Sequence, residues 1–471
     1  MTTPTPAQPR RVAHLDMDAF YASVTLLRYP QLQGLPMVIG GPRLSPEALL
    51  AQCHRAGADP SLGLDDLHRI PAEFFPRLRS YRGRGVITTA TYEARQYGLQ
   101  SAMSLSRAGR LCPHAILLPV DFDEYRRVSR CFKDVVLSMA PTMEDRGIDE
   151  VYIEFTDAPD GQLENGRILA LRLQHAIAGA TGLSCSIGVA PNKLLAKIIS
   201  EFDKPGGITI LQATELGSRI WPLPCNRING IGPKTWERLQ ALGIQTIGEL
   251  AACSIHELKA HFGNRQANWL HQSAHGIDER PLVTHSEPVS ISRETTFEHD
   301  LHAVQDRAVL GRIFTELAER TAADLQRKGY AGRTIGIKLR YADFRIATRD
   351  QTLDIPTQDA RRIRETAAQC LKRVDLSKRL RLLGIRIGSL QPVEALDMWT
   401  AVMPPTSETE TEDCRERETE ATQKAGDASP DCRLDLGDAG SQSLSRPEPG
   451  RPRSRTPERG STSPHQLRLN F

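Results

Sequence analysis

No stretch of this chain stays apolar for the roughly 18 residues that a membrane-spanning helix needs. The opening MTTPTPAQPRR contains no apolar signal-peptide core. No two of the nine cysteines are spaced as CxxC, which argues against a zinc site and a disulfide framework and fits a reduced cytoplasm. An internal repeat is missing, and so is a GxxxxGK loop, which excludes a P-loop ATPase. Nor is there a large excess of one charge. Lys and Arg number 60 against 57 Asp and Glu, a net of +3, which does not announce a nucleic-acid binder. The total hides an asymmetry, because the acidic run TSETETEDCRERETE near the C-terminus leaves the remainder more basic. At 471 residues the chain has room for roughly two to four domains.

What is present centres on VAHLDMDAFYASV at 12–24. Val12 to Leu15 read as a buried strand, and alternation points Asp16 and Asp18 to one side. Phe20, Val24 and Leu27 then recur at i, i+4 and i+7, a helical face. Taken alone, this stretch reads more readily as a solvated strand-to-helix turn with an Asp near a helix N-cap than as a cation site beside an aromatic wall. A second stretch, GIDEVYIEFT at 147–156, changes the balance. Val151, Ile153 and Phe155 alternate with Tyr152 and Glu154 as in a half-buried strand, and Asp149 and Glu150 open it. Adjacent residues of a regular strand face opposite ways, so both acids reach one site only if the chain turns, which Gly147 permits. Asp16, Asp149 and Glu150 would make a hard oxygen-ligand cluster of the kind that suits Mg²⁺.

Four segments in order, DMDAFYASV, TTATYEARQYG (88–98), GIDEVYIEFT and SCSIGVAPNKLLAKIISEFDKPGG (184–207), resemble the Y-family DNA polymerases, above all their bacterial translesion members. The resemblance runs from about residue 12 to about residue 392. It implies an α+β, multidomain, right-hand-shaped polymerase. The expected parts are a βαββαβ palm (12–27 and 122–211), small fingers (28–121), a helical thumb with a helix-hairpin-helix (212–284) and an α+β little finger (287–392). Residues 1–11 are expected to be disordered, as is the Ser-, Thr-, Glu- and Pro-rich tail at 402–464. The fingers depart from the common pattern by roughly forty inserted residues at about 44–81, with apolar spacing at Leu62, Leu64, Leu67 and Ile70 and a basic end at Arg77, Arg79, Arg82 and Arg84; the insertion reads foremost as a solvated surface excursion, with a contact to DNA or a partner as the alternative.

The resemblance also assigns roles. Asp16, Asp149 and Glu150 would hold two Mg²⁺ ions, with the Met17 carbonyl as a further ligand and Asp18 as structural support. Where the family usually has Ser, this chain has Gly147. Tyr21 matches the steric gate that excludes a 2′-hydroxyl. Tyr92, Arg95 and Lys204 would hold the triphosphate of the incoming dNTP, with Thr89 as a further polar contact. Lys193 and Lys197 would lie near DNA or the triphosphate. Gly230, Gly232 and Lys234 would form the hairpin that binds a DNA phosphate without reading sequence. Arg293, Lys338, Arg340, Arg345 and Arg349 would contact the backbone of the primer-template DNA and give salt-sensitive affinity. The terminal HQLRLNF resembles a sliding-clamp peptide, with Gln466, Leu467, Leu469 and Phe471 as its anchors. A monomeric, cytoplasmic enzyme that adds dNTPs to a primer is expected. An inactive clamp-bound scaffold would have lost the acids, and a repair nuclease would not carry DMDAFY and TATYEAR.

Overall fold

The computed structural model describes residues 8–41 and 44–395. The tail and the clamp-like peptide therefore lie outside the described residues. The chain divides into two compact units between Glu287 and Pro288.

The first unit opens with β1 (Val12–Met17), α1 (Phe20–Arg28) and β2 (Met37–Gly40). It continues through α2 (Pro46–Arg55), β3 (Ile87–Ala90), α3 (Tyr92–Gln96), α4 (Leu105–Leu111) and β4 (Ile116–Leu118). Then come α5 (Phe122–Met139), β5 (Met143–Asp145), β6 (Glu150–Glu154), α6 (Arg167–Thr181), β7 (Cys185–Ala190), α7 (Lys193–Ile199) and β8 (Ile208–Ile210). The central sheet has the order β5-β6-β1-β7-β8. Its β1, α5, β5, β6, α6 and β7 supply the expected βαββαβ sequence of elements. Strand alternation gives the sheet two different faces. Leu15, Met17, Val151, Ile153 and Ile187 join one core with Val128, Phe132 and Val136 of α5 and Leu169, Leu173 and Ile177 of α6. The other face carries His14, Asp16, Glu150 and Ser186 and is approached by α7. Gly188 makes that approach feasible, because a Cβ there would stand 2.4 Å from the Ala196 carbonyl oxygen of α7.

A small sheet, β3-β2-β4, forms the fingers side. The inserted segment differs from the expected solvated excursion. Leu49, Leu50 and Cys53 of α2, together with Leu67, Ile70 and Phe75, are buried in the same core as the central sheet, while Leu64 stays exposed. Leu67 and Ile70, three residues apart, form a packing face of the insertion.

Three further helices, α8 (Pro233–Ala241), α9 (Ile247–Ala252) and α10 (Ile255–Ala274), build a separate core with Leu194, Leu195, Ile198 and Ile199 of α7. The second unit contains β9 (Ser290–Leu301), α11 (Arg307–Lys328), β10 (Tyr330–Tyr341), β11 (Ile346–Thr357), α12 (Ala360–Leu371) and β12 (Leu380–Pro392). Its four strands run β11-β10-β12-β9, all antiparallel. Ile335, Ile337, Ile385 and Ile387 of the sheet share a core with Phe314 and Leu325 of α11 and Ile363 of α12. No described helix is long and apolar enough to cross a membrane.

Candidate active site

Asp16 and Glu150 are direct partners across the β1–β6 pair, so their side chains leave one face of the sheet side by side. Asp149 sits one residue before β6, where the Met17 amide donates to its carbonyl at 3.0 Å. That bond fixes the turn which lets consecutive acids serve one region. The turn is also tied from outside. Lys133 Nζ donates to Asp145 Oδ2 at 2.8 Å and to the Gly147 carbonyl at 2.6 Å, so glycine in place of serine does not leave it unsupported.

Asp16 and Asp149 line a cleft of about 200 Å³ with Met17, Tyr21, Thr88, Thr89, Tyr92, Arg95 and Lys204. Between β1 and α1, Ala19 adopts the left-handed region (φ 43°), a strain of about 1 kcal/mol that sets Tyr21 directly after the acidic strand. Tyr21 is buried, its ring centroid 4.5 Å from that of Tyr125 and 6.0 Å from that of Phe122. On the facing wall Thr91 caps α3, accepting from Ala94 N at 3.3 Å, and its hydroxyl also accepts from Met37 N at 3.1 Å. The helix so anchored presents Tyr92 and Arg95 three residues apart on one face. The Arg95 guanidinium lies 4.8 Å from the centre of the Tyr92 ring, and its Nε donates to the Ala90 carbonyl at 3.1 Å.

The lysines separate by role. Lys204 pairs with Asp16 at 3.0 Å and with Glu201 at 2.7 Å; burial acts to lower its pKa, but the charges and hydrogen bonds of Asp16 and Glu201 together raise it. Lys197 forms an ion pair with Glu150 and stands 3.3 Å from His14 Nε2. Lys193 corrects an expectation. It is 5 % exposed, pairs with buried Glu144 and donates to the Pro281 carbonyl, so it faces no ligand. Asp18 serves as support, as expected. Its carboxylate accepts from Ser184 Oγ (2.8 Å), Ser186 Oγ (2.7 Å) and Gly206 N (2.9 Å), clamping the Lys204–Gly207 loop to β7.

The electrostatics of the acids diverge. Burial, reinforced by Asp149, pushes Asp16 up to about 7 against the opposing charge of Lys204. Burial and Glu150 also raise Asp149. Burial acts on Glu150 in the same direction, but the hydrogen bond with His14 and the charge of Lys197 hold it at about 2. His14, fully buried, is pushed down to about 4 by that burial and shares a hydrogen bond of 2.9 Å with Ser200. With Glu150 turned towards Lys197 and His14, no three ligating side chains converge among the described residues. His14, Lys197 and Glu201 are neighbours of the acids, and of these only Lys197 drew attention in the sequence. Spacing gave no reason to single out His14 or Glu201.

The other expected contacts are distributed unevenly. Gly230 has φ 116°, and a Cβ there would stand 2.8 Å from the Trp269 ring, so the hairpin requires glycine. Gly232 caps α8, and Lys234 in its first turn is exposed. The five basic residues of the second unit do not share a face. Lys338 and Arg340 lie on one face of the sheet, Lys338 paired with Glu294 at 2.7 Å. Arg293 and Arg349 pair across the sheet with buried Ile385 and Ile337 and therefore lie on the helix-covered side. Arg293 holds Asp324 of α11, and Arg349 donates to the Arg373 carbonyl. Arg345 pairs with Asp343 in the β10–β11 turn. Arg386, exposed and in register with Gly336, belongs to the same face as Lys338 and escaped the sequence reading.

Comparison with known proteins adds an independent line. Residues 15–201 match the impB/mucB/samB family, residues 288–398 its C-terminal domain, and residues 226–278 the thumb domain of DNA polymerase iota. The chain is 37 % identical over 382 residues to a protein of Methanoculleus marisnigri named DNA polymerase IV, covering 81 % of this chain and 95 % of the relative. A protein of Alkalilimnicola ehrlichii with the same name is 35 % identical over 385 residues, covering 82 % and 96 %. Among solved structures, a Y-family DNA polymerase chimera superposes with a TM-score of 0.65 at 24 % identity, covering 80 % of this chain and 98 % of that one.

Proposed function

The chain belongs to the Y-family DNA polymerases, and we propose on that basis that the cleft holding Asp16, Asp149 and Lys204 is where a dNTP is joined to a primer 3′-hydroxyl. The protein is a DNA-directed DNA polymerase of the low-fidelity, translesion kind, without proofreading. The observation that carries the assignment of the cleft is the gathering of Asp16 and Asp149 in one cleft with Tyr92, Arg95 and Lys204.

The family's chemistry is metal-dependent, and the carboxylate oxygens of Asp16, Asp149 and Glu150 are donors of the hard kind that suits Mg²⁺, with Glu150 here turned towards Lys197 and His14. Burial, reinforced by Asp149, raises Asp16 to about 7, and Lys204 and Lys197 supply the positive charge that ions would bring. Asp16, Asp149, Glu150 and the Met17 carbonyl would hold the ions. When bound, such ions activate the attacking hydroxyl and stabilise the leaving pyrophosphate. The protein's own groups do the remaining work. Arg95, already oriented by its contacts with Ala90 and Tyr92, offers its guanidinium to phosphate oxygens, and Tyr92 adds a neutral donor. Lys204 is kept protonated by Asp16 and Glu201 and adds a point charge, with Thr89 beside it. Tyr21, braced by Tyr125 and Phe122, would act as a plate under the sugar that excludes a 2′-hydroxyl.

Primer-template DNA would be held by the hairpin at Gly230, Gly232 and Lys234 and by the sheet face bearing Lys338, Arg340 and Arg386. Gln466, Leu467, Leu469 and Phe471 would tether a monomeric, cytoplasmic enzyme to the sliding clamp, the apolar three as anchors in a pocket. Primer extension by the purified protein with Mg²⁺ tests the reading, and failure to extend a matched primer would sink it. Deleting 466–471 should leave unassisted extension intact and remove stimulation by added clamp. Undiminished clamp affinity after the deletion would move the tether into the folded domains.

A further inference from the structure

Between residues 76 and 112 the chain carries seven arginines and one acid, Glu93. Arg95 belongs to the cleft. Arg77 is used internally, donating to the His114 and Ala72 carbonyls at 2.8 and 2.7 Å. Four others, Arg79, Arg82, Arg107 and Arg110, are exposed, and none has an acidic partner among the described residues, although Arg82 also donates to the Arg79 and Tyr81 carbonyls at 3.0 Å. The backbone gathers them on one edge. Leu105 N donates to Gly85 O at 3.0 Å, Ser106 Oγ to Gly83 O at 3.4 Å, and Arg79 N to Pro113 O at 3.0 Å. The end of the insertion thus runs along α4, with Arg82 near the start of that helix and Arg79 near its end. Arg107 and Arg110, three residues apart, are neighbours on α4.

Two further features make this edge more than a solvated charge run. It is held rigidly, because Leu67, Ile70, Phe75 and Leu78 leading into it are all buried. It is also continuous with the cleft. Ile87 N donates to Met103 O at 2.8 Å and Ala102 N to Ile87 O at 2.8 Å, and the strand that begins at Ile87 carries Thr89 into the nucleotide site. The hairpin module, by contrast, shares its core with α7 on a different part of the central sheet. Like charges fixed side by side repel one another, and a polyanion relieves that repulsion.

We propose that this arginine edge binds the phosphates of the unpaired template strand ahead of the nucleotide cleft. The proposal rests on the polymerase reading and adds a contact carried partly by the insertion. Duplex held by the hairpin module leaves the strand ahead of the cleft single, and arginine-to-phosphate contacts hold such a strand without reading its sequence.

The test uses the full-length protein and two primer-templates with the same duplex, one with a template overhang of ~1 nucleotide and one of ~12, titrated by fluorescence anisotropy over a range of salt. The long overhang should bind about 10-fold tighter at low salt, with a salt slope steeper by roughly 2–3, since each single-strand phosphate contact contributes about 0.7. Replacing Arg79, Arg82, Arg107 and Arg110 together by Ala should erase both gains. It should leave short-overhang affinity and single-nucleotide insertion at saturating DNA unchanged. Replacing the same four by Lys should keep most of the gain, which separates charge from fold. An Ala variant that keeps the overhang gain, or that weakens both substrates equally, overturns the proposal. If the wild type extends primers but shows no overhang gain, only this proposal fails. If it neither binds nor extends them, the polymerase reading fails first.

Discussion

Two lysines on α7, Lys193 and Lys197, stand one turn apart and each pairs with a carboxylate of the central sheet, yet they have become different things. Lys193 and Glu144 are almost fully enclosed, and Glu144 also accepts from Val283 N at 2.8 Å while Lys193 donates to the Pro281 carbonyl. Asn192 and Asp278 add bonds between Gly276 and the start of α7. That end of the helix is an anchor for the chain leaving α10. Lys197 and Glu150 are about one quarter exposed and stand beside Asp16, His14 and the cleft. The same ion pair is scaffold where both partners also bond to backbone groups inside the protein. It is part of a site where its carboxylate lies beside other acids at the cleft.

The largest expected effect falls on the exposed end. Glu150→Ala or Asp149→Ala should lower the rate of extension by at least ~10³-fold, since ligands of catalytic ions supply several kcal/mol of transition-state stabilisation. DNA affinity and melting temperature should barely change. A variant with near-normal turnover removes these acids from the metal site.

At the buried end, Lys193→Met should cost about 3–5 kcal/mol in denaturant unfolding, because it strands the Glu144 charge. Replacing Glu144 by Leu in the same chain should recover much of that. If the double variant is no more stable than the single one, packing rather than the lost pairing explains the cost.

Tyr21→Ala probes the cleft without touching either pair. Ribonucleotide over deoxynucleotide efficiency should rise about 10²-fold, roughly 2.7 kcal/mol of discrimination. Unchanged sugar selectivity combined with a lower melting temperature would mean that Tyr21 is only a core residue.

The smallest effect concerns Asp278, which accepts from Leu194 N at 3.0 Å and from Arg280 Nε at 2.6 Å. Burial would raise its pKa, but the bonds and charge of Arg280 lower it below the usual carboxylate value. A depressed folded-state pKa contributes stability that is present above the unfolded value of 3.8 and is lost as pH falls through the folded value. Asp278→Asn should therefore reduce stability by about 1 kcal/mol at neutral pH, with the gap to wild type closing in strong acid. Parallel pH–stability curves for the two proteins would show that this carboxylate is not linked to folding.

Much of the site was legible because its residues sit in short motifs whose geometry is local. Strand alternation aligned Asp16 with the face that Glu150 shares, and the capped turn after β3 set Tyr92 and Arg95 three residues apart. His14 was not legible as a neighbour of Glu150, since strand β6 comes more than a hundred residues later. The five basic residues of the second unit looked like one cluster until the register of β9, β10 and β11 divided them between two faces.

The motifs alone fixed the chemistry on offer, namely three carboxylates, a guanidinium with a phenol, and a lysine on a Pro-Gly-Gly loop. That information is local, because a strand or a helix turn assigns direction from spacing. Folding assigned the burial. It enclosed Lys193 and left Lys197 at the cleft, and it drew an insertion expected in solvent into the central core. Burial is a property of what packs against a residue, and for Lys193 that partner arrives from Pro281 and Val283, far along the chain.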